Sequence, residues 1–193
     1  MPALPVFHAT VTPVTAAQLG RSWHPGCPVG PSGLRTLTVS YVGFDGRARR
    51  GQLVVARAVT TEVTTVFRTL YRERFPIRRM VPIAYYGGSD DRSAAADNTT
   101  GFNCRRAVAS GPPRWSAHAY GTAIDINDLE NPYLLGARVI PPAGAAYRDR
   151  THIRPGMAVP GGVLVRAFAA AGWLWGGRWA GSPDYQHFSR TGR

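Results

Sequence analysis

The chain has 193 residues, 44% of them hydrophobic, and carries 23 lysines and arginines against 11 aspartates and glutamates, a formal net charge of +12. Such a length and composition fit one globular domain with a real hydrophobic core. No run of about 18 apolar residues occurs, so a membrane-spanning helix is not expected.

Residues 1–33 are rich in proline, glycine and threonine, which predicts an extended N-terminal arm with little regular structure. A single domain over residues 34–193 is expected to follow it. Residues 1–20 lack a positively charged start followed by an apolar stretch, so they are not typical of a signal peptide. Both a protein without a leader and a mature secreted form, whose leader is absent from this sequence, stay open.

Apolar and polar residues alternate over residues 34–42, which predicts a half-buried strand. The dipeptide Asp45-Gly46 then turns the chain toward a second predicted strand at residues 53–56. Apolar residues recur at helical spacing over residues 60–74, which indicates an amphipathic helix.

The second half of the chain alternates loops with short elements. Residues 80–86 predict a strand, and residues 87–100 a polar loop that could bind a cation, cap a cleft or simply connect two elements. A Pro-rich excursion over residues 131–160 is unusually long for a compact domain and is expected to form a wall of a groove. Helical spacing returns over residues 162–171, before a final strand that carries His187. The layout is α+β, a mainly antiparallel sheet with flanking helices.

Two cysteines, Cys27 and Cys104, are too few and too far apart for a zinc knuckle. They are either joined by a disulfide or buried as free thiols. The disulfide is favoured, because Cys27 lies between Gly26 and Pro28 in a stretch that otherwise has little to anchor it. A disulfide would restrict the unfolded chain and indicate an oxidising compartment.

The chemistry of the chain is concentrated in residues 116–125 and residues 184–188. Catalytic zinc is typically held by three protein ligands, which leave a fourth position for water. These stretches predict three such ligands, His118, Asp125 and His187. The other histidines, His8, His24 and His152, lie outside any metal-type pattern and are interpreted as surface or core residues.

Local geometry supports this ligand set. Gly121 permits a backbone bend after His118, so that the following strand, residues 123–127, could bring Asp125 to the same ion. Side chains alternate along a strand, so Asp125 lies on one face while its isoleucine neighbours pack into the core. A carboxylate between core positions is costly to bury unless something positive binds it.

Asp184 precedes His187 by three residues, close enough to act on water without being a ligand. This position predicts a general base. The alternative is a residue that caps the turn after Pro183.

Both stretches resemble the M15 family of zinc peptidases, which includes D-Ala-D-Ala carboxypeptidases and L-Ala-D-Glu endopeptidases of peptidoglycan. The family pattern SxHxxGxAxD followed by [DE]xxH stands here in the same order, and residues 102–105, 131–133 and 172–177 also look like the branch with an aspartate base. The resemblance spans roughly residues 50–189 and departs at Ser189, where many relatives carry an acid.

The resemblance implies a hedgehog/DD-peptidase-like fold, one zinc ion and hydrolysis of peptidoglycan stem peptides in the manner of a D-alanyl-D-alanine carboxypeptidase. Two alternatives are an L-Ala-D-Glu endopeptidase, such as an endolysin, and a non-catalytic relative that binds the cell wall.

The resemblance also implies a role for Arg105, whose planar guanidinium would hold the substrate carboxylate or the developing oxyanion. A surface charge in an arginine-rich chain is the alternative. Ser116 and Tyr120 are predicted to contact substrate or a ligand, or else to shape the loop. Four tryptophans are candidates to line the cleft: Trp115, Trp173, Trp175 and Trp179. Aromatic residues at such spacing are also typical of a core, so only one or two are expected there, and Trp115 and Trp175 are the ones predicted.

The net charge of +12 creates a field that attracts polyanions. The arginines are scattered and lack the glycine-aromatic pattern of an RNA-binding sheet, so anionic cell-wall polymers are favoured over nucleic acid as partners. A nucleic-acid-binding module would explain the charge but not the four candidate site residues. A secreted or wall-associated protein is expected, with release by lysis or from a phage as the alternative.

Overall fold

The computed structural model describes residues 3–108 and 112–192. The strands of this part of the chain are β1 (Ala9–Pro13), β2 (Leu34–Val42), β3 (Ala48–Ala56), β4 (Ala123–Asp125), β5 (Tyr133–Leu135), β6 (Arg138–Ile140), β7 (Leu174–Trp175) and β8 (His187–Ser189). The α-helices are α1 (Ala16–Leu19), α2 (Thr60–Arg72), α3 (Asp90–Ala95) and α4 (Val163–Ala170). Among these helices, none combines the length and apolarity that crossing a bilayer demands.

The strands form three antiparallel sheets rather than one, in the orders β1-β2-β3, β4-β8-β7 and β5-β6. In the first sheet Leu37 of β2 lies opposite Val11 of β1 and Leu53 of β3. Helices pack beside these sheets, α2 against β2 and against α4. The predicted α+β class is confirmed.

The core lies between helix α2, helix α4 and the first two sheets. Helix α2 buries Val63, Val66, Phe67 and Leu70, which recur at helical spacing on one face. Burial of each such side chain contributes about 1.5–3 kcal/mol of transfer free energy. The second sheet, which carries the predicted site residues Asp125 and His187, packs on this core through Ile124 and Phe188.

The second sheet joins distant parts of the chain. Asp125 in β4 is paired directly with His187 in β8, and on its other side Asp125 forms an isolated bridge with Thr100. Directly opposed residues point to the same face of a sheet. Ile124 and Ile126 have no exposed surface, as the alternation of the strand predicts.

Several predicted elements are confirmed. Strand β2 covers the predicted residues 34–42, and helices α2 and α4 lie inside the predicted ranges 60–74 and 162–171. Strand β3 includes the predicted residues 53–56 but begins earlier, at Ala48, because it pairs with the whole length of β2.

Other predictions were wrong. Residues 80–86 form a single bridge at Met80 and then a 3₁₀ turn, Ile83–Tyr86, which follows Pro82 and ends at a left-handed Gly87. Proline lacks the N–H that a paired strand requires at that position.

Three stretches predicted as irregular contain regular structure. Residues 87–100 contain helix α3, whose first turn is capped by the Ser89 hydroxyl. The excursion over residues 131–160 contains the β5-β6 hairpin. The predicted arm, residues 1–33, contains β1, which is an edge strand of the first sheet, and α1. The division into an arm and a domain at residue 34 stays a prediction.

The predicted disulfide is confirmed: Cys27 and Cys104 are bonded, with their Cα atoms 5.9 Å apart and a sequence separation of 77. The bond ties the segment before β2 to the residue that precedes Arg105. It closes a long loop, so it restricts the unfolded chain more than a short cross-link would.

Replacing both cysteines by serine is expected to lower the free energy of unfolding by about 2–4 kcal/mol, through the gain of chain entropy in the unfolded state. Urea unfolding followed by circular dichroism, with and without a dithiol reductant, measures the effect. The reductant should destabilise the wild type by a similar amount and leave the double variant unchanged. Equal midpoints for wild type and double variant would contradict this prediction.

Candidate metal centre and active site

His118 is positioned by a 3₁₀ turn, Ala117–Tyr120, that begins at Ser116. The Ser116 hydroxyl accepts a hydrogen bond from the His118 backbone N–H at 3.3 Å. Gly121 ends the turn with φ +66°, and a Cβ at that position would lie 2.5 Å from the backbone nitrogen of Ala56. Only glycine fits here, and the bend carries the chain directly into β4.

His118, Asp125 and His187 meet at one buried point. The Nε2 atom of His118 lies 3.0 Å from Oδ2 of Asp125 and 3.2 Å from Nδ1 of His187. Nδ1 of His187 lies 3.1 Å from Oδ1 of Asp125. The three side chains are all buried, and their ligand atoms form a group that could hold a metal ion.

The hydrogen bonding of His118 selects its tautomer. Its Nδ1 lies 2.6 Å from the carbonyl oxygen of Gly101, which can only accept, so Nδ1–H is the donor. The lone pair of neutral His118 is therefore on Nε2, which is the atom directed at Asp125 and His187. A metal-binding histidine is commonly oriented in this way by a carbonyl on its other nitrogen.

The electrostatics of the group also fit a cation. Burial raises the pKa of Asp125, but the charges and hydrogen bonds of His118 and His187 outweigh it, and the pKa falls well below its usual range. The carboxylate is thus ionised. The two imidazole nitrogens lie 3.2 Å apart, and each lies within 3.1 Å of a different oxygen of the Asp125 carboxylate, so the group needs a proton or a metal ion between its members. This donor set suits zinc.

A second group of potential ligands, His24 with Cys27 and Cys104, also lies close together. Both sulfurs are joined in the disulfide, so neither offers a thiolate. His24 lies beside this bridge, away from the buried group formed by His118, Asp125 and His187.

Asp184 lies at the edge of the same pocket as these three residues. Its side chain is buried, and its Oδ1 has no hydrogen-bond partner in the described part of the chain. Burial raises the pKa of Asp184 to about 7; the charge of His187 lowers it in part, and the Asp125 carboxylate adds to the rise. A carboxylate with a pKa close to neutrality can both take and return a proton.

The pocket is a cavity of about 270 Å³ whose lining includes His118, Asp125, Asp184 and His187. Small-molecule sites are typically clefts of about 300–1,000 Å³, so the cavity suits a small ligand or the end of a peptide. Its lining also includes Trp179, whose ring centre lies 5.2 Å from that of His187.

Arg105 lies in the pocket lining rather than on an open surface, with 26% of its side chain exposed. It forms an ion pair with Asp90, at the start of helix α3. Asp90 is itself held by Asn103, whose Nδ2 donates to it at 3.0 Å. Asp90 was not among the predicted site residues, because only the folded chain brings helix α3 to Arg105.

The four residues predicted to contact substrate divide into two pairs. Ser116 and Trp115 line the pocket. Tyr120 is 43% exposed and lies outside the pocket lining. Trp175 also lies outside it: the side chain is buried, and its Nε1 donates to the carbonyl of Tyr185 within the core.

Residues 110–190 match the family model described as D-alanyl-D-alanine carboxypeptidase. The match contains His118, Asp125, Asp184 and His187, the four residues that meet at the pocket. The match supports a peptidase, which is a hydrolase. The matched segment is similar to peptidases of the M15 family, in agreement with the sequence resemblance. No curated protein and no solved structure matches the chain.

Proposed function

We propose that the protein is a zinc-dependent peptidase that hydrolyses the stem peptides of bacterial peptidoglycan, in the manner of a D-alanyl-D-alanine carboxypeptidase. The observation that carries this proposal is the buried meeting of His118, Asp125 and His187 beside Asp184, whose Oδ1 has no hydrogen-bond partner among the described residues. The M15 match over the same residues supports it, since peptidases of this family are generally metal-dependent.

The proposed metal ligands are His118, Asp125 and His187. A single zinc ion held by them would lower the pKa of water and polarise the scissile carbonyl. Gly101 and the turn at Gly121 orient His118 toward this point, and the strand pairing of Asp125 with His187 aligns the other two ligands. The chain therefore supplies a rigid site that needs little rearrangement on binding.

Asp184 is the proposed general base. It would take a proton from the attacking water and return it to the leaving amine, since its carboxylate lines the pocket and its Oδ1 has no hydrogen-bond partner in the part of the chain that the structure describes. Arg105 would stabilise the negative charge that develops on the carbonyl oxygen, or hold the carboxylate at the end of the substrate. Asp90 keeps the Arg105 side chain at the pocket.

Two further features support action at the cell wall. The net charge of +12 would draw the protein to anionic wall polymers. The disulfide is typical of proteins in an oxidising compartment, which favours a secreted or wall-associated location.

Incubation of the zinc-loaded protein with purified muropeptides, followed by mass analysis of the fragments, tests the proposal. Loss of a single terminal D-alanine from a pentapeptide stem is the expected result. Cleavage between L-alanine and D-glutamate would instead indicate the endopeptidase activity. Binding without any cleavage would contradict an enzyme and support a wall-binding relative.

A further inference from the structure

Asp128 is a buried carboxylate that the proposed mechanism does not use. It lies three residues beyond Asp125, lines the same pocket and is only 3% exposed. Its Oδ1 atom has no hydrogen-bond partner among the described residues.

The backbone explains how Asp128 reaches the pocket. Strand β4 ends at Asp125, and Asn127 adopts a left-handed conformation with φ +50°. The Asn127 side chain holds this bend by accepting from the Arg78 backbone N–H at 3.0 Å and by donating to the Pro76 carbonyl at 2.8 Å. The bend breaks the alternation of the strand, so the position of Asp128 is set by the turn and not by the pleat.

A nearby positive charge would stabilise the ionised form of Asp128 in its surroundings. Burial raises the pKa of Asp128, and the carboxylates of Asp125, Asp97 and Asp184 raise it further. The charge of a divalent ion at the proposed metal centre would already be balanced by the carboxylates of Asp125 and Asp184. A further cation or a strong hydrogen-bond donor would still stabilise Asp128.

The same pocket contains other acceptor oxygens without partners. Thr100, bridged to Asp125 through the backbone, is 5% exposed, and its Oγ1 has no partner in the described part of the chain. The Oε1 atom of buried Gln186, which also lines the pocket, likewise has no hydrogen-bond partner among the described residues. Among the described residues, Asp128 belongs to no group of three or more histidine, cysteine, aspartate or glutamate side chains close enough to hold a metal ion, so a second metal ion is not favoured.

A primary ammonium group complements such oxygens, because it combines a positive charge with three N–H donors and no acceptor. The pocket also contains Arg105, Arg114 and Arg138, which suit a carboxylate. Acidic and basic groups in one cavity fit a small substrate that carries both charges.

We propose that Asp128, assisted by Thr100 and Gln186, forms a subsite for a primary ammonium group of the peptide substrate. This inference rests on the proposed peptidase function. The ammonium could be the α-amino group of a free dipeptide or the side-chain amine of a basic residue next to the cleaved dipeptide; both present the same chemistry.

Two matched pairs of peptides test the proposal with the zinc-loaded protein. One pair is D-Ala-D-Ala and its N-acetyl derivative; the other is Nα-acetyl-Lys-D-Ala-D-Ala and its Nα,Nε-diacetyl derivative. The member with the free amine is expected to show a kcat/KM about 10- to 100-fold higher in at least one pair, as a charge-assisted hydrogen bond allows. A preference confined to the first pair would assign the site to the α-amino group, and one confined to the second to the side chain.

Asp128→Asn should bring the ratio of kcat/KM between the free-amine peptide and its acetylated partner close to one. The exposed control Asp149→Asn should leave this ratio unchanged. The comparison of the two peptides of each pair on the wild-type protein requires no variant. It therefore tests the subsite even if Asp128→Asn fails to fold. Equal kcat/KM for both members of both pairs, or a ratio that survives in a folded Asp128→Asn protein, would overturn the proposal.

Calorimetric binding of the same peptides to the zinc-loaded Asp184→Asn protein separates the subsite from the proposed function. Absence of cleavage by the wild type, together with tighter binding of the free amines, would count against the peptidase and support the subsite. Cleavage by the wild type without any preference in binding or turnover would support the peptidase and overturn the subsite.

Discussion

Replacing His187 by alanine is expected to remove both zinc binding and peptide hydrolysis. Nδ1 of His187 lies 3.1 Å from Asp125 and 3.2 Å from His118, so its loss leaves two of the three proposed ligands. Loss of a group that merely orients a ligand typically weakens metal affinity about 10- to 100-fold, and loss of a ligand itself should exceed that range.

Metal analysis by mass spectrometry after dialysis against a zinc buffer measures the first effect, and release of D-alanine measures the second. His152→Ala is the matched control, since this histidine has 85% of its side chain exposed and contacts the nearby Asp149 and Thr151. Circular dichroism establishes that the variant is folded. One zinc ion per chain at wild-type affinity in His187→Ala would exclude this ligand set.

Replacing Asp184 by asparagine is expected to leave zinc bound and to lower kcat about 10²- to 10⁴-fold, the usual contribution of general acid–base catalysis. Asparagine keeps the size of the side chain but cannot accept a proton from water. KM should change little, because the carboxylate acts on the transition state more than on the bound substrate.

Zinc content and single-substrate kinetics of Asp184→Asn are the measurements, with Asp149→Asn as an exposed control. Burial and the Asp125 carboxylate hold the pKa of Asp184 above its ordinary value, so wild-type activity should rise as pH increases and Asp184 loses its proton. This limb of the pH profile should be absent in the variant. Turnover close to that of the wild type would show that another group is the base.

Part of the site follows from short-range rules that can be applied to the sequence. The placement of Asp125 opposite the buried Ile124 and Ile126 depends only on strand alternation, and the bend after His118 depends on Gly121. The spacing of Asp184 and His187 is equally local. Both helices with a clear apolar period, α2 and α4, could be predicted for the same reason.

Predictions failed where neighbours in space overrode local composition. Strand β1 lies in a stretch rich in proline and threonine, and its regular structure comes from pairing with β2. Trp175 and Trp179 are four residues apart in sequence, yet only Trp179 lines the pocket while Trp175 packs in the core. Aromatic spacing alone does not distinguish these two environments.

The sequence by itself determined the α+β class and the two main helices, and it predicted the four candidate site residues, because each depends on spacing within a few residues. Only the tertiary structure decided that Asp125 pairs with His187, 62 positions away, that Asp90 holds Arg105, and that Asp128 turns into the pocket. Those arrangements depend on sheet register and on a left-handed residue stabilised by distant backbone groups, neither of which leaves a periodic signal in the sequence.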